Sequence, residues 1–105
     1  MDDFLDRPRA LVARYPQNEL ARFSLGKALF DRGEYAEARD HLQAALSRRP
    51  DWMIVQILLG KIELQLGNPG GARTAFQTAR QLAIEQNHEG PLAELDDLLA
   101  GLQTG

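Results

Sequence analysis

Side chains able to do chemistry are few in this chain, and their spacing keeps them apart. His41 and His88 have no cysteine to join them, no second histidine three or four residues away and no HExxH arrangement, so a zinc site is not expected. Ser24 and Ser47 stand outside any G-x-S-x-G turn, the setting that exposes a serine nucleophile. The run GNPGG from Gly67 to Gly71 lacks the Lys-Ser/Thr of a phosphate loop and follows no strand pattern, so it reads as a turn. Asp96 and Asp97 adjoin; on a helix they point to neighbouring rather than facing positions, which does not suit a paired acid and base. These patterns predict no enzyme, no catalytic residue, no metal and no cofactor. The expected work is binding.

Composition narrows the partner. Twelve Lys and Arg against fifteen Asp and Glu give a net charge of −3 over 105 residues. That balance leaves no basic footprint for nucleic acid. The longest nearly apolar run, Trp52 to Gly60, is interrupted by Gln56 and is far too short to span a membrane. The start, MDDFLDRPRA, is acidic and has no apolar central region, unlike a secretory signal. A cytoplasmic protein of one domain is the expectation.

What positions the side chains is a repeat. Residues 16–50 recur in residues 50–84 at an offset of 34, which divides this part of the chain into repeats 16–50 and 51–87: Pro16 pairs with Pro50, Leu25-Gly26-Lys27 with Leu59-Gly60-Lys61, Gly33 with Gly67, Ala38 with Ala72 and Ala45 with Ala79. A fixed period of this length marks stacked helical hairpins. In each copy the first helix (helix A) ends at a glycine suited to a left-handed C-terminus, Gly33 or Gly67. Helix A of the first copy is expected from an Asn18 cap to about Arg32, and helix B from Tyr35 to Arg48. The second helix A, WMIVQILLGKIELQL, is apolar on almost every side and should be covered on several of them, with Asp51 as its cap. Asn68 and Pro69 form the cap and first turn of a helix expected to run regularly from Ala72 to about Gln86. Ahead of the repeats, residues 1–15 predict a short helix from about Arg7 to Arg14, with Asp6 as cap, Pro8 in the first turn, and Phe4, Leu5, Leu11 and Val12 apolar. Behind them, residues 91–102 predict a helix starting at Pro91 that caps the exposed end of the stack with its leucines.

These residues resemble the tetratricopeptide repeat, with its Leu-Gly pair in helix A and small residues at fixed places in helix B. Here they are Leu25-Gly26 and Leu59-Gly60, then Ala38 and Ala45, Ala72 and Ala79, with Tyr35, Leu42 and Phe76 at large positions and Pro50 closing the first copy. Arg22 and Gln56 stand where a large aromatic is usual. Ile84 replaces a closing proline, so the second helix B should run on. The resemblance implies an all-α fold of stacked antiparallel helical hairpins in a right-handed superhelix, with two repeats, flanking helices and a C-terminal cap.

It also implies where a partner binds. Helices A line the concave face of such stacks. By position that face holds Leu20, Phe23, Lys27 and Phe30, then Ile54, Ile57, Lys61 and Leu64. Spacings of 3, 4 and 3 put each set on one helix face, distinct from Ala21, Leu25 and Ala28 or Val55, Leu59 and Ile62, which should pack inside. Lys27 and Lys61 would stand side by side among apolar residues and suit a protein or peptide with an acidic group or C-terminal carboxylate. The Lys-and-Asn clamp of chaperone-binding relatives is not reproduced, because Phe23, Lys27 and Leu58 occupy its positions. The alternative is a homodimer that buries the same apolar stripe.

Overall fold

The computed structural model describes the backbone of residues 3–104 and the side chains of residues 5–102; Phe4 lies outside the described side chains. The described residues form six helices: α1 (Asp3–Arg14), α2 (Glu19–Asp31), α3 (Tyr35–Arg48), α4 (Met53–Gln65), α5 (Pro69–Glu85) and α6 (Glu89–Thr104). They fall into two compact units, Met1–Pro50 and Asp51–Gly105, and the division sits where the 34-residue pattern restarts. In the first unit α1 packs on α2 and α2 on α3; in the second α4 packs on α5 and α5 on α6. The architecture is all-α, built from antiparallel helical hairpins.

Three turns share one closure. After α2, Gly33 takes φ +80°; its N–H donates to the Phe30 carbonyl at 2.9 Å and the Glu34 N–H to the Leu29 carbonyl at 2.9 Å. After α4, Gly67 at φ +76° does the same, with Asn68 N–H on the Glu63 carbonyl at 2.8 Å. This double bond pattern satisfies carbonyls that a helix end otherwise leaves open. After α5 the left-handed residue is Asn87, φ 58°, and His88 N–H donates to the Ala83 carbonyl at 2.9 Å. The last helix therefore starts at Glu89 rather than Pro91. Asparagine is among the few non-glycine residues that take this conformation readily, and that is the signal in Asn87 to Gly90.

Helix starts differ in quality. Asn18 Oδ1 accepts from Ala21 N–H at 2.9 Å and Asn68 Oδ1 from Gly71 N–H at 3.1 Å, both as side-chain caps. Pro69 is the first residue of α5, so the helix opens three residues before Ala72. With no proline to stop it, α5 runs to Glu85 and is three residues longer than α3. Asp51 does not cap α4: the cap position is Trp52, which makes no side-chain cap bond. Nor does Asp6 cap α1, which begins at Asp3 and carries Pro8 inside it. Burial of Leu5 on the unit's core keeps the turn before Pro8 helical despite the bond that proline omits. Leu11, counted among the apolar positions, is 41% exposed.

The hairpins close because small residues face large ones. A Cβ on Gly26 would meet Leu42 Cδ2 at 2.7 Å, and one on Gly60 would run into the Phe76 ring. Leu42 and Phe76 are equivalent at the offset of 34, and both are 0% exposed. Ala38, Ala45, Ala72 and Ala79 are also 0% exposed, so each hairpin is tight along its length.

Leu29 and Glu63 are likewise equivalent positions. Leu29 is 0% exposed, and Glu63, 8% exposed, is the buried charged residue of the second unit. Asn68 Nδ2 donates to Glu63 Oε2 at 3.3 Å, as a buried carboxylate requires. Gly71 leaves room for that pair, since a Cβ there would sit 2.6 Å from Glu63 Oε2.

Candidate functional site

The residues expected to line the binding face separate into three groups. Leu20 and Ile54, equivalent in the two copies, are 59% and 60% exposed, and Leu64 is 38% exposed. Lys27 is exposed, while Phe23, Phe30 and Lys61 are half-buried. The Phe30 ring meets Tyr35 edge-on at 5.7 Å, which ties it to α3. Ile57 departs from the expectation. It is 8% exposed and belongs to a core with Met53, Phe76, Ala79, Ala83 and Leu95. The reason is α6: Leu95 is fully buried in that core, and Leu92, Leu98, Leu99 and Leu102 pack against it. Of the residues expected to pack inside, Ala21, Leu25, Val55 and Ile62 are buried, whereas Ala28 and Leu59 are only partly so.

Both lysines are already matched within their own units. Lys27 Nζ lies 2.9 Å from both carboxylate oxygens of Asp31, one turn away. Lys61 Nζ reaches Glu94 Oε2 on α6 at 3.2 Å. Sequence reading missed both partners. Asp31 follows Lys27 at the i,i+4 spacing that signals such a pair, but nothing local marks Glu94. All four side chains are 41–56% exposed, so each pair contributes roughly 0–1 kcal/mol and can be exchanged for an incoming carboxylate at little cost. Beside Lys27 a cavity of ≈ 370 Å³ is lined by Ser24, Lys27, Ala28, Asp31 and Arg32. Its lining carries one carboxylate, Asp31, and two cationic side chains, Lys27 and Arg32.

A second polar cluster ties the first unit's helices together. Arg9 of α1 grips Glu37 of α3 through both guanidinium nitrogens, at 2.5 and 3.1 Å. His41 Nε2 is 3.7 Å from Glu37 Oε2, and Arg22 of α2 donates to His41 Nδ1 at 3.0 Å and to the Pro16 carbonyl at 2.9 Å. Because Arg22 can only donate, His41 must accept at Nδ1 and be neutral. Burial, then the Arg22 charge, pushes the His41 pKa below 6.5, against a smaller opposing pull from Glu37. The Arg9 bond, set against burial, pulls Glu37 below 4.5. Both shifts make the folded chain bind fewer protons than the unfolded one, so stability rises with pH across each window. The thermal midpoint should therefore fall as pH drops below 6.5 through the depressed His41 pKa, and again below 4.5 as Glu37 protonates. A melting series on the native protein and His41→Gln checks this: the variant should lose the upper decline and keep the lower one. The same upper decline in both proteins would contradict the assignment.

Among the described residues no three His, Cys, Asp or Glu side chains come together to hold a metal. No helix among them is long and apolar enough to cross a membrane. His41 belongs to the structural cluster just described, and His88 is exposed at the α5–α6 turn.

Comparison with known proteins agrees with this geometry. The family model described as tetratricopeptide repeat matches residues 9–52 and 23–87. The TPR repeat-containing protein PA0015 of Pseudomonas aeruginosa is 34% identical over 84 residues, which cover 80% of this chain and 78% of that protein. The solution structure of protein BPP2914 from Bordetella parapertussis superposes with a TM-score of 0.83 at 30% identity, covering 99% of this chain and 90% of that one. With its glycine-closed hairpins and its Leu-Gly and alanine positions in register, the chain belongs to the tetratricopeptide-repeat family.

Proposed function

We propose that this chain is a non-enzymatic, cytoplasmic adaptor that holds an apolar segment of a protein partner against its A helices, α2 and α4. Tetratricopeptide repeats generally mediate protein–protein interaction, and the observation that carries the reading here is the exposure of Leu20 and Ile54, 59% and 60%. Two large aliphatic residues left open at the same position of both repeats are not what core packing requires; exposed apolar surface of this kind serves association. On α4 Leu64 and the methylene stem of Lys61 share the face of Ile54, and on α2 Phe23, Phe30 and the stem of Lys27 share the face of Leu20. Ile57 supports the patch from within. A carboxylate on the partner replaces Asp31 on Lys27 or Glu94 on Lys61, and so adds selectivity more than affinity. Contact with a few side chains on each helix corresponds to micromolar-class binding.

The test is capture of partners from the source lysate by the native protein, by Leu20→Asp with Ile54→Asp, and by Lys27→Glu with Lys61→Glu. A specific partner should be lost, by at least about tenfold, in the aspartate variant. It should be weakened less in the lysine variant, with helicity and melting unchanged in both. Undiminished capture by the aspartate variant would reject the assignment.

A further inference from the structure

The charge of this chain is divided unevenly. Residues 1–50 hold nine Lys or Arg against eight Asp or Glu, and residues 51–105 hold three against seven. The two outermost helices in chain order carry that difference on faces that none of the preceding roles uses. In α6, Leu95 points into the core. On the opposite side Ala93, Asp97 and Ala100 are exposed, flanked by Glu89 and Asp96. Nothing lies within 4 Å of where a Cβ on Gly101 would stand, so this side of α6 is low and acidic. In α1, Leu5 and Val12 point inward. Opposite them Arg7, Ala10 and Arg14 are exposed, with Leu11 at 41% and Tyr15 at 49% exposure beside them and Asp6 at the margin.

The two faces match in spacing as well as in sign. Arg7 and Arg14 are seven residues apart, as are Glu89 and Asp96. Two helical turns carry each pair about 10.5 Å along its helix. Small residues between the acids let another helix approach closely, and Leu11 is a large side chain that fills such a surface. Asp96 is held by Arg80 at 2.6 Å, and the Arg14 guanidinium lies 5.6 Å from the Tyr15 ring. Both contacts are on exposed side chains and leave the charges accessible.

We propose that α1 of one copy docks on the outer face of α6 of a second copy, Arg7 and Arg14 meeting Glu89, Asp96 and Asp97. Every copy carries both complementary faces, so the contact is head-to-tail. It repeats from copy to copy and closes only where its rotation brings the last α1 onto the first α6. It uses neither Leu20 nor Ile54, and so leaves the α2 and α4 stripe open for a different protein. The attraction is between exposed charges, so salt weakens it.

Sedimentation of the full chain over a range of concentrations, at low and high salt, tests this together with two reversals. Arg7→Glu with Arg14→Glu makes both faces acidic, and Glu89→Lys with Asp97→Lys makes both basic. The native protein should gain mass with concentration and lose it with salt. Each variant alone should self-associate at least about tenfold more weakly, at native helicity. An equimolar mixture should recover the native behaviour, because each variant then supplies the charge the other lacks. A native protein that stays monomeric at millimolar concentration overturns the proposal. So does association that survives both reversals, which places the contact elsewhere, or a mixture that fails to recover it.

Discussion

Phe76→Ala should cost this protein about 3–5 kcal/mol of stability, the usual range for emptying a buried aromatic site. Phe76 is 0% exposed and sits in a cluster that α4, α5 and α6 share, with Met53, Ile57, Ala79 and Leu95 around it. Its neighbours cannot move in to fill the space. Gly60 offers no side chain, and Ala72 and Ala79 offer only methyl groups. Against a total of about 5–15 kcal/mol for a chain of this size, the loss is a large share of the stability. Urea denaturation followed by circular dichroism measures it. A loss below about 1 kcal/mol would mean that the cluster is not packed as described.

Gly60→Ala should destabilise the same unit, although alanine is the better helix former by about 1 kcal/mol. The added methyl group runs into the Phe76 ring, and overpacking of this kind costs about 1–3 kcal/mol. Collision should win, because the ring is enclosed and cannot swing away. Phe76→Leu in the same chain should relieve the collision, so the double variant should lose less than the two single changes together, by more than about 0.5 kcal/mol. Gly101→Ala on the open side of α6 is the control: with nothing within 4 Å, it should be neutral or mildly stabilising. Strict additivity between Gly60→Ala and Phe76→Leu would argue against the close approach of α4 and α5.

The contrast between those two glycines shows what was legible in the sequence. Gly26 and Gly60 recur at one spacing beside Leu25 and Leu59, and that regularity by itself announces a helix pair in close contact. The left-handed turns at Gly33 and Gly67 and the caps at Asn18 and Asn68 were equally plain, because one residue type answers one backbone need. The ends were harder. Asn87 does the work of a glycine, and Pro8 is carried inside α1 because buried Leu5 outweighs a lost hydrogen bond.

The site was legible in part. Spacing put Leu20 and Ile54 each on one helix face with their neighbours, and the family resemblance implied that this face is the open one. The burial of Ile57 and the pairing of Lys61 could not, because both depend on where α6 lies, and Glu94 is thirty-three residues away. Glu63 was concealed for a different reason. It occupies the position that leucine holds in the first copy, and only the Asn68 side chain and the space left by Gly71 make a carboxylate tolerable there.

The central claim is that the open stripe of the A helices is where a partner protein sits. The most direct measurement is site-specific photocrosslinking in the source cells, with the reactive side chain placed at Leu20, at Ile54, and at exposed Gln43 on α3 as control. The account predicts one discrete heavier product, of the same partner, from Leu20 and from Ile54, and none from Gln43. No product from either stripe position, or the same product from Gln43, would contradict it.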